Sequence, residues 1–128
     1  MFNCDHNQNI LLWSYERVAV PYYDNIKNRM RKYKIDFKLR YRLSFGKEVD
    51  LLVEVKPYYQ IFPPDFKLKI SKPNQYFKRL CTYEVNRAKW IAAKKYSIIN
   101  NYHFYVTYYN ERFKRFIYLV PEEIGIEV

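Results

Sequence analysis

The 128-residue sequence predicts an α/β or α+β domain with a mixed central sheet and one long helix. Three observations predict it: two neighbouring runs in which apolar and charged residues alternate, one long stretch with apolar residues at three- and four-residue steps, and further β-rich runs on either side. The length predicts a single domain over residues 1–128, large enough to bury a core and too short for two ordinary domains.

The run Leu11 to Tyr22, LLWSYERVAVPY, is rich in β-branched and aromatic residues and reads as a strand with an irregular start. Asp24 to Arg31 is a polar, basic connection. From Lys32 to Leu43 the alternation is strict: Tyr33, Ile35, Phe37, Leu39, Tyr41 and Leu43 are apolar, and the residues between them are all charged. Such a run is a half-buried antiparallel strand. After Ser44, Phe45 and Gly46, a second strand from Lys47 to Lys56 closes a hairpin. Four prolines between Pro57 and Pro73 preclude a long element, so an ordered surface excursion is expected there. A helix follows over Gln75 to Ile99, with Val85, Ala88, Ala92, Tyr96 and Ile99 as its buried stripe and Trp90 and Ala93 widening it. Asn100 and Asn101 are helix terminators that tolerate the left-handed conformation. Tyr102 to Tyr109 and Phe113 to Val120 are two more strands, and the acidic tail PEEIGIEV is expected to be loosely held.

Lys and Arg number 23 against 13 Asp and Glu, a formal charge of +10, which points to a polyanionic partner such as nucleic acid. A/T-rich codon usage accounts for part of the lysine excess, but less well for the nine arginines. With only Gly46 and Gly125, the chain can spell no Walker loop, dinucleotide fingerprint or GxSxG elbow. Two Cys and two His lack zinc-ligand spacing and give no disulfide framework. No apolar run reaches membrane-helix length and no leader opens the chain, so a bacterial cytoplasmic setting without membrane attachment is expected.

The hairpin register carries the chemistry. A three-residue loop places Leu43 opposite Lys47 and therefore Asp36 opposite Glu54 and Lys34 opposite Lys56. Arg42 then meets Glu48 and Arg40 meets Asp50, so the hairpin is charge-matched near its turn and mismatched only around Asp36. Two facing carboxylates repel unless a cation bridges them. With Lys56 beside them they form a set that can hold Mg²⁺ and act on a phosphodiester, while Lys34, Lys38, Arg40 and Arg42 would attract a DNA backbone. The plainer alternative is a solvated charged strand in a Lys-rich chain. Paired carboxylates also serve glycoside hydrolysis, but the +10 surroundings give no reason for a raised carboxyl pKa.

The sequence IDF on one strand followed by LLVEVKP on the next resembles the PD-(D/E)XK nuclease superfamily, with Ile35 where proline is usual. More closely, the chain is similar to the head completion nucleases of T-even-like tailed phages and to TnsA-like transposon endonucleases. The similarity rests on NQNILLWSYE, VPY, YKIDF, LLVEVKP with Gln60 and a following PP, VNRAKWIAAKKY and FYVT in order. The resemblance implies a restriction-endonuclease-like fold and double-stranded DNA as substrate, with Mg²⁺ or Mn²⁺ as cofactor. It implies Asp36 and Glu54 as metal-binding acids, the Val55 carbonyl as a further ligand and Lys56 as the catalytic lysine.

Lys89 and Trp90 match the family's helix motif, Lys89 as an auxiliary at the scissile phosphate and Trp90 as core packing. Gln60 either reaches the site or is solvated, and Asn86 either braces its helix or touches substrate. The family's acidic residue on a helix before the first strand has no counterpart, because Met1-Phe2-Asn3-Cys4-Asp5 starts inside that helix. Glu16 either substitutes for it or points to solvent, and Asp5 is the poorer substitute. Two principal functions follow. One is a metal-dependent DNA endonuclease of phage head completion or DNA end processing. The other is a nuclease-fold structural protein of the virion neck or portal that no longer cuts, working with neck or portal proteins or as a homo-oligomer. A third reading is a nucleic-acid-binding domain whose tyrosines stack on bases.

Overall fold

The computed structural model describes residues 10–128. The expected remnant of an N-terminal helix at Met1–Asp5 lies outside the described residues. Strands β1 (Ile10–Tyr15), β2 (Ala19–Asp24), β3 (Arg29–Lys34), β4 (Phe37–Arg42) and β5 (Glu48–Val55) come first. Helices α1 (Phe66–Ser71) and α2 (Pro73–Asn100) follow, then β6 (His103–Asn110) and β7 (Arg115–Leu119). The main sheet has the order β1-β4-β5-β6-β7, and β2 pairs with β3 in a separate ribbon. Among the described residues only β5 and β6 run parallel, and the connection between them carries α2, as a parallel pair requires. The architecture is α+β and restriction-endonuclease-like, a mixed sheet flanked by one long helix.

Two runs that read as continuous strands are each broken. Glu16, at φ 51°, separates β1 from β2, and Ile35–Asp36 separates β3 from β4. The breaks lie side by side: the Glu16 N–H donates to the Asp36 carbonyl at 2.9 Å and the Ile35 N–H to the Val18 carbonyl at 3.0 Å. One long antiparallel ribbon thus kinks out of the main sheet at these residues. Its tip is held by Asp24, which is buried, accepts from the Ile26 and Lys27 amides and pairs with Arg31 at 3.1 Å.

The β4–β5 register is the expected one, with Arg42 opposite Glu48 and Arg40 opposite Asp50, and Gly46 takes the left-handed conformation at φ 89°. Lys34 is a correction: it pairs with Ala19 across the ribbon, because the kink removes it from the sheet that holds Lys56. The proline-rich excursion also contains more structure than expected, a 3₁₀ turn at Tyr58–Gln60 and α1, whose N-cap Asp65 accepts from the Lys67 amide at 2.9 Å.

Helix α2 starts with Pro73 in its first turn and stops at Asn101, left-handed at φ 59°. Its most buried stripe is Asn86, Trp90, Ala93 and Ser97. The expected stripe lies more than about 100° further round the helix, so Val85, Ala88, Ala92 and Tyr96 pack as its flank and Ile99 is 83% exposed. Two polar residues hide the true stripe, and one of them, Ser97, satisfies itself by donating to the Ala93 carbonyl at 2.8 Å.

The main core unites Leu52, Phe104 and Val106 of the sheet with Tyr33 and Ile35 from the ribbon end and Trp90 of α2. The opposite face of the sheet carries a smaller cluster around Leu39 and Val53. The C-terminal tail is packed rather than loose: a 3₁₀ turn at Pro121–Ile124 buries Ile124, and Ile126 is fully buried in the main core. Alternation within IGIEV supplies these two anchors despite the acidic composition.

Candidate active site

Asp36 sits at the kink, one residue before β4 begins pairing with β5. It has left the β4–β5 ladder, so its N–H and side chain are available to the end of β5 while its carbonyl accepts from Glu16. Its N–H donates to Glu54 Oε2 at 3.3 Å, and its Oδ2 accepts from the Val55 N–H at 2.9 Å. In an extended strand the N–H and C=O of one residue point to the same side, so the Val55 carbonyl is directed to the Asp36 side as well. Glu54 is paired with Val106 in the parallel ladder and is 3% exposed, and Lys56 Nζ lies 3.6 Å from its Oε1. Asp36, Glu54, Val55 and Lys56 are therefore brought together at the C-terminal end of β5.

The electrostatics are those of a strained acid pair. Burial, and next the nearby Asp36 carboxylate, push the Glu54 pKa up to about 7, against the opposing effects of the Tyr33 hydrogen bond and Lys56. The Tyr33 hydroxyl donates to Glu54 Oε2, and burial of that phenol raises its own pKa well above the ordinary value. Lys89 of α2 completes the surroundings, its Nζ 5.5 Å from the Tyr33 ring centre and 5.8 Å from that of Tyr22. Burial lowers its pKa, followed by repulsion from Lys56.

Tyr33 is the residue that sequence reasoning missed. Alternation counts it with the apolar face of a strand, although a buried tyrosine needs a partner for its hydroxyl and the facing strand offers a glutamate.

The other candidates are distributed differently. Glu16 is adjacent to Asp36 through the backbone, but its side chain is exposed and raises the pKa of neighbouring Tyr15 by its charge. Gln60 donates to the Tyr59 hydroxyl at 3.2 Å and lines a groove beside α2. Trp90 is core, at 1% exposure. Of the four basic residues expected to attract DNA, Lys34 lies on the ribbon, Lys38 stands 4.9 Å from the Tyr102 ring centre, Arg40 pairs with Asp50 at 3.1 Å and Arg42 is exposed. Lys38, Arg40 and Arg42 alternate along β4 on the face that carries Glu54 in β5.

Two carboxylates and a backbone carbonyl are hard oxygen donors of the kind Mg²⁺ and Mn²⁺ take, and a divalent cation would offset the burial and the Asp36 repulsion that push the Glu54 pKa up to about 7. The donor set fits such an ion. Among the described residues no third Asp, Glu, His or Cys joins the pair, so water and substrate oxygens would fill the remaining positions.

The chain is similar to known proteins. Residues 7–108 match the family described as TnsA-like endonuclease N terminal. A curated relative, the head completion nuclease of Enterobacteria phage T4, is 29% identical over 92 residues, which cover 70% of this chain and 59% of the relative. The chain thus spans under two thirds of the length of that relative. No solved structure matches. The kink, the acid pair and the lysine all lie inside the matched region, and the chain belongs to the TnsA-like endonuclease N-terminal family.

Proposed function

We propose that the chain is a metal-dependent DNA endonuclease domain spanning residues 1–128, hydrolysing phosphodiester bonds in phage head completion or DNA end processing within the bacterial host. The observation that carries this reading is the convergence of Asp36, Glu54 and Lys56 at the end of β5, in a chain with a +10 formal charge. Duplex DNA is the substrate and Mg²⁺ or Mn²⁺ the cofactor.

Asp36, Glu54 and the Val55 carbonyl would hold the cation, which supplies Lewis-acid polarisation of a phosphoryl oxygen. The residues of the chain do the rest. The Val55 amide fixes the Asp36 carboxylate, and Tyr33 fixes the Glu54 carboxylate in the buried floor of the site. Lys56, about one quarter exposed, is within reach of both Glu54 and solvent, so it orients the attacking water and takes up or steadies charge at the phosphate. Lys89 brings a second cation toward the same point, and its lowered pKa suits a proton-exchanging role.

The support is local geometry together with family membership. Supercoiled plasmid incubated with the protein in Mg²⁺, Mn²⁺ or EDTA tests it. Metal-dependent nicking that is lost in Asp36→Ala is the expected result, and equal activity of the variant would sink the site assignment.

One observation favours a second reading. Only two carboxylates meet at the described site, as in a domain that has kept the nuclease fold as a structural or DNA-binding part of the virion neck or portal. Salt-sensitive DNA binding without metal-dependent nicking would select it.

A further inference from the structure

A groove of about 390 Å³ opens between the 3₁₀ turn at Tyr58–Gln60, which follows Lys56 in the chain, and the N-terminal half of α2. Tyr59 and Gln60 form one wall, and Lys78, Arg79, Thr82 and Tyr83 form the other; no acidic residue lines it. The Arg79 guanidinium lies over the Tyr59 ring at 5.3 Å, which orients its planar fork while leaving the residue exposed. Lys78 is exposed as well. Ammonium, guanidinium, amide and phenol groups with no carboxylate make a surface for a phosphodiester backbone.

Helix α2 runs from the groove toward the carboxylate site. On a helix, positions three and four apart share a face, and Arg79, Thr82, Asn86 and Lys89 form such a row along α2 from the groove to the edge of the Glu54 pocket. Asn86 in the middle of this row is 4% exposed, and its Nδ2 is a buried donor without a hydrogen-bond partner. An unused buried amide one turn along α2 from Thr82 marks polar capacity that the fold itself does not consume. At 1.5 Å rise per residue, Arg79 lies about 15 Å along the axis from Lys89.

We infer that this groove is a second DNA-backbone site, holding the strand about 15 Å along α2 from Lys89. The inference rests on the nuclease reading for the identity of the substrate. It assigns to Lys78 and Arg79 a role in substrate binding and none in chemistry.

The test is fluorescence anisotropy of a labelled 24-base-pair duplex in EDTA, titrated at a series of salt concentrations. Three proteins are compared: wild type, Lys78→Ala/Arg79→Ala, and a control of equal charge loss, Lys47→Ala/Lys95→Ala, at exposed positions away from the groove. Removing two phosphate contacts is expected to lower the slope of log affinity against log salt by about 1.8, with the control close to wild type. Thermal unfolding verifies that each variant is folded. An unchanged slope in the groove variant overturns the inference, and so does an equal fall in the control, which would mark a net-charge effect.

The plasmid assay separates the two claims. Nicking by wild type with a groove-independent slope leaves the nuclease reading and removes the groove. A groove-dependent slope without nicking does the reverse.

Discussion

Replacing Glu54 by Gln tests the acid pair without requiring activity. Glu54 is 3% exposed, and its pKa stands at about 7 against 4.5 for the free group. A carboxyl with a raised folded-state pKa holds its proton more tightly in the native than in the unfolded chain. Its contribution to stability is therefore full below about pH 4.5 and is lost as pH rises through about 7. At 1.36 kcal/mol per unit, the loss is about 3 kcal/mol.

The amide side chain introduced by Glu54→Gln keeps the shape and can still accept from Tyr33 and the Asp36 amide, but it cannot ionise. Urea denaturation in EDTA from pH 4.5 to 8 is the assay. The stability of wild type should fall relative to Glu54→Gln by about 3 kcal/mol across this window, with other carboxylates cancelling in the difference. Added Mg²⁺ should restore wild type at the alkaline end far more than the variant, because binding to the native state stabilises by mass action. Parallel pH profiles for the two proteins would refute the claim that Glu54 is strained by burial and by Asp36.

Lys56→Met should reduce plasmid nicking by about 10²- to 10⁴-fold at saturating DNA while leaving duplex affinity in EDTA near wild type, measured by single-turnover kinetics. Tyr33→Phe removes the donor that orients Glu54 and should weaken Mg²⁺ affinity by about 10- to 100-fold, read by isothermal titration. An unchanged affinity would reduce Tyr33 to a packing residue. Ile126→Ala should destabilise by about 2–5 kcal/mol in chemical denaturation although only Glu127 and Val128 follow it in the sequence. A loss under about 0.5 kcal/mol, the range of an ordinary surface change, would mean that the tail is not part of the core.

The hairpin was legible because alternation fixes a register and Gly46 fixes a turn. From these alone Asp36 falls opposite Glu54, and the β4–β5 pairing follows the same register. The breaks at Glu16 and Ile35–Asp36 were not legible. A ribbon that bends from one sheet to another keeps its period of two through the bend, so the pattern Lys32 to Leu43 carries no mark of where the sheet ends. The α2 stripe was misplaced for a related reason, since apolarity alone does not locate a face that includes Asn86 and Ser97. Tyr33 was hidden because a tyrosine in an alternating strand looks apolar until its partner is known.

The Ile35–Asp36 break and Tyr33 meet at one place, and the chemistry explains why. A carboxylate in the middle of a paired strand lies on one face of a sheet, with its backbone committed to the ladder. Releasing the chain at Asp36 lets its N–H reach Glu54 and its carboxylate take the Val55 amide. The kink also swings β3 over the end of β5 and places the Tyr33 hydroxyl on Glu54, beneath Lys89 of α2. A straight strand would preserve the opposition of Asp36 and Glu54 but would keep Tyr33 in the β4 plane, beyond the last pair. The same break therefore assembles the acid pair and gives the buried acid its support, so restoring regular pairing at Ile35–Asp36 should disassemble the site even with every side chain retained.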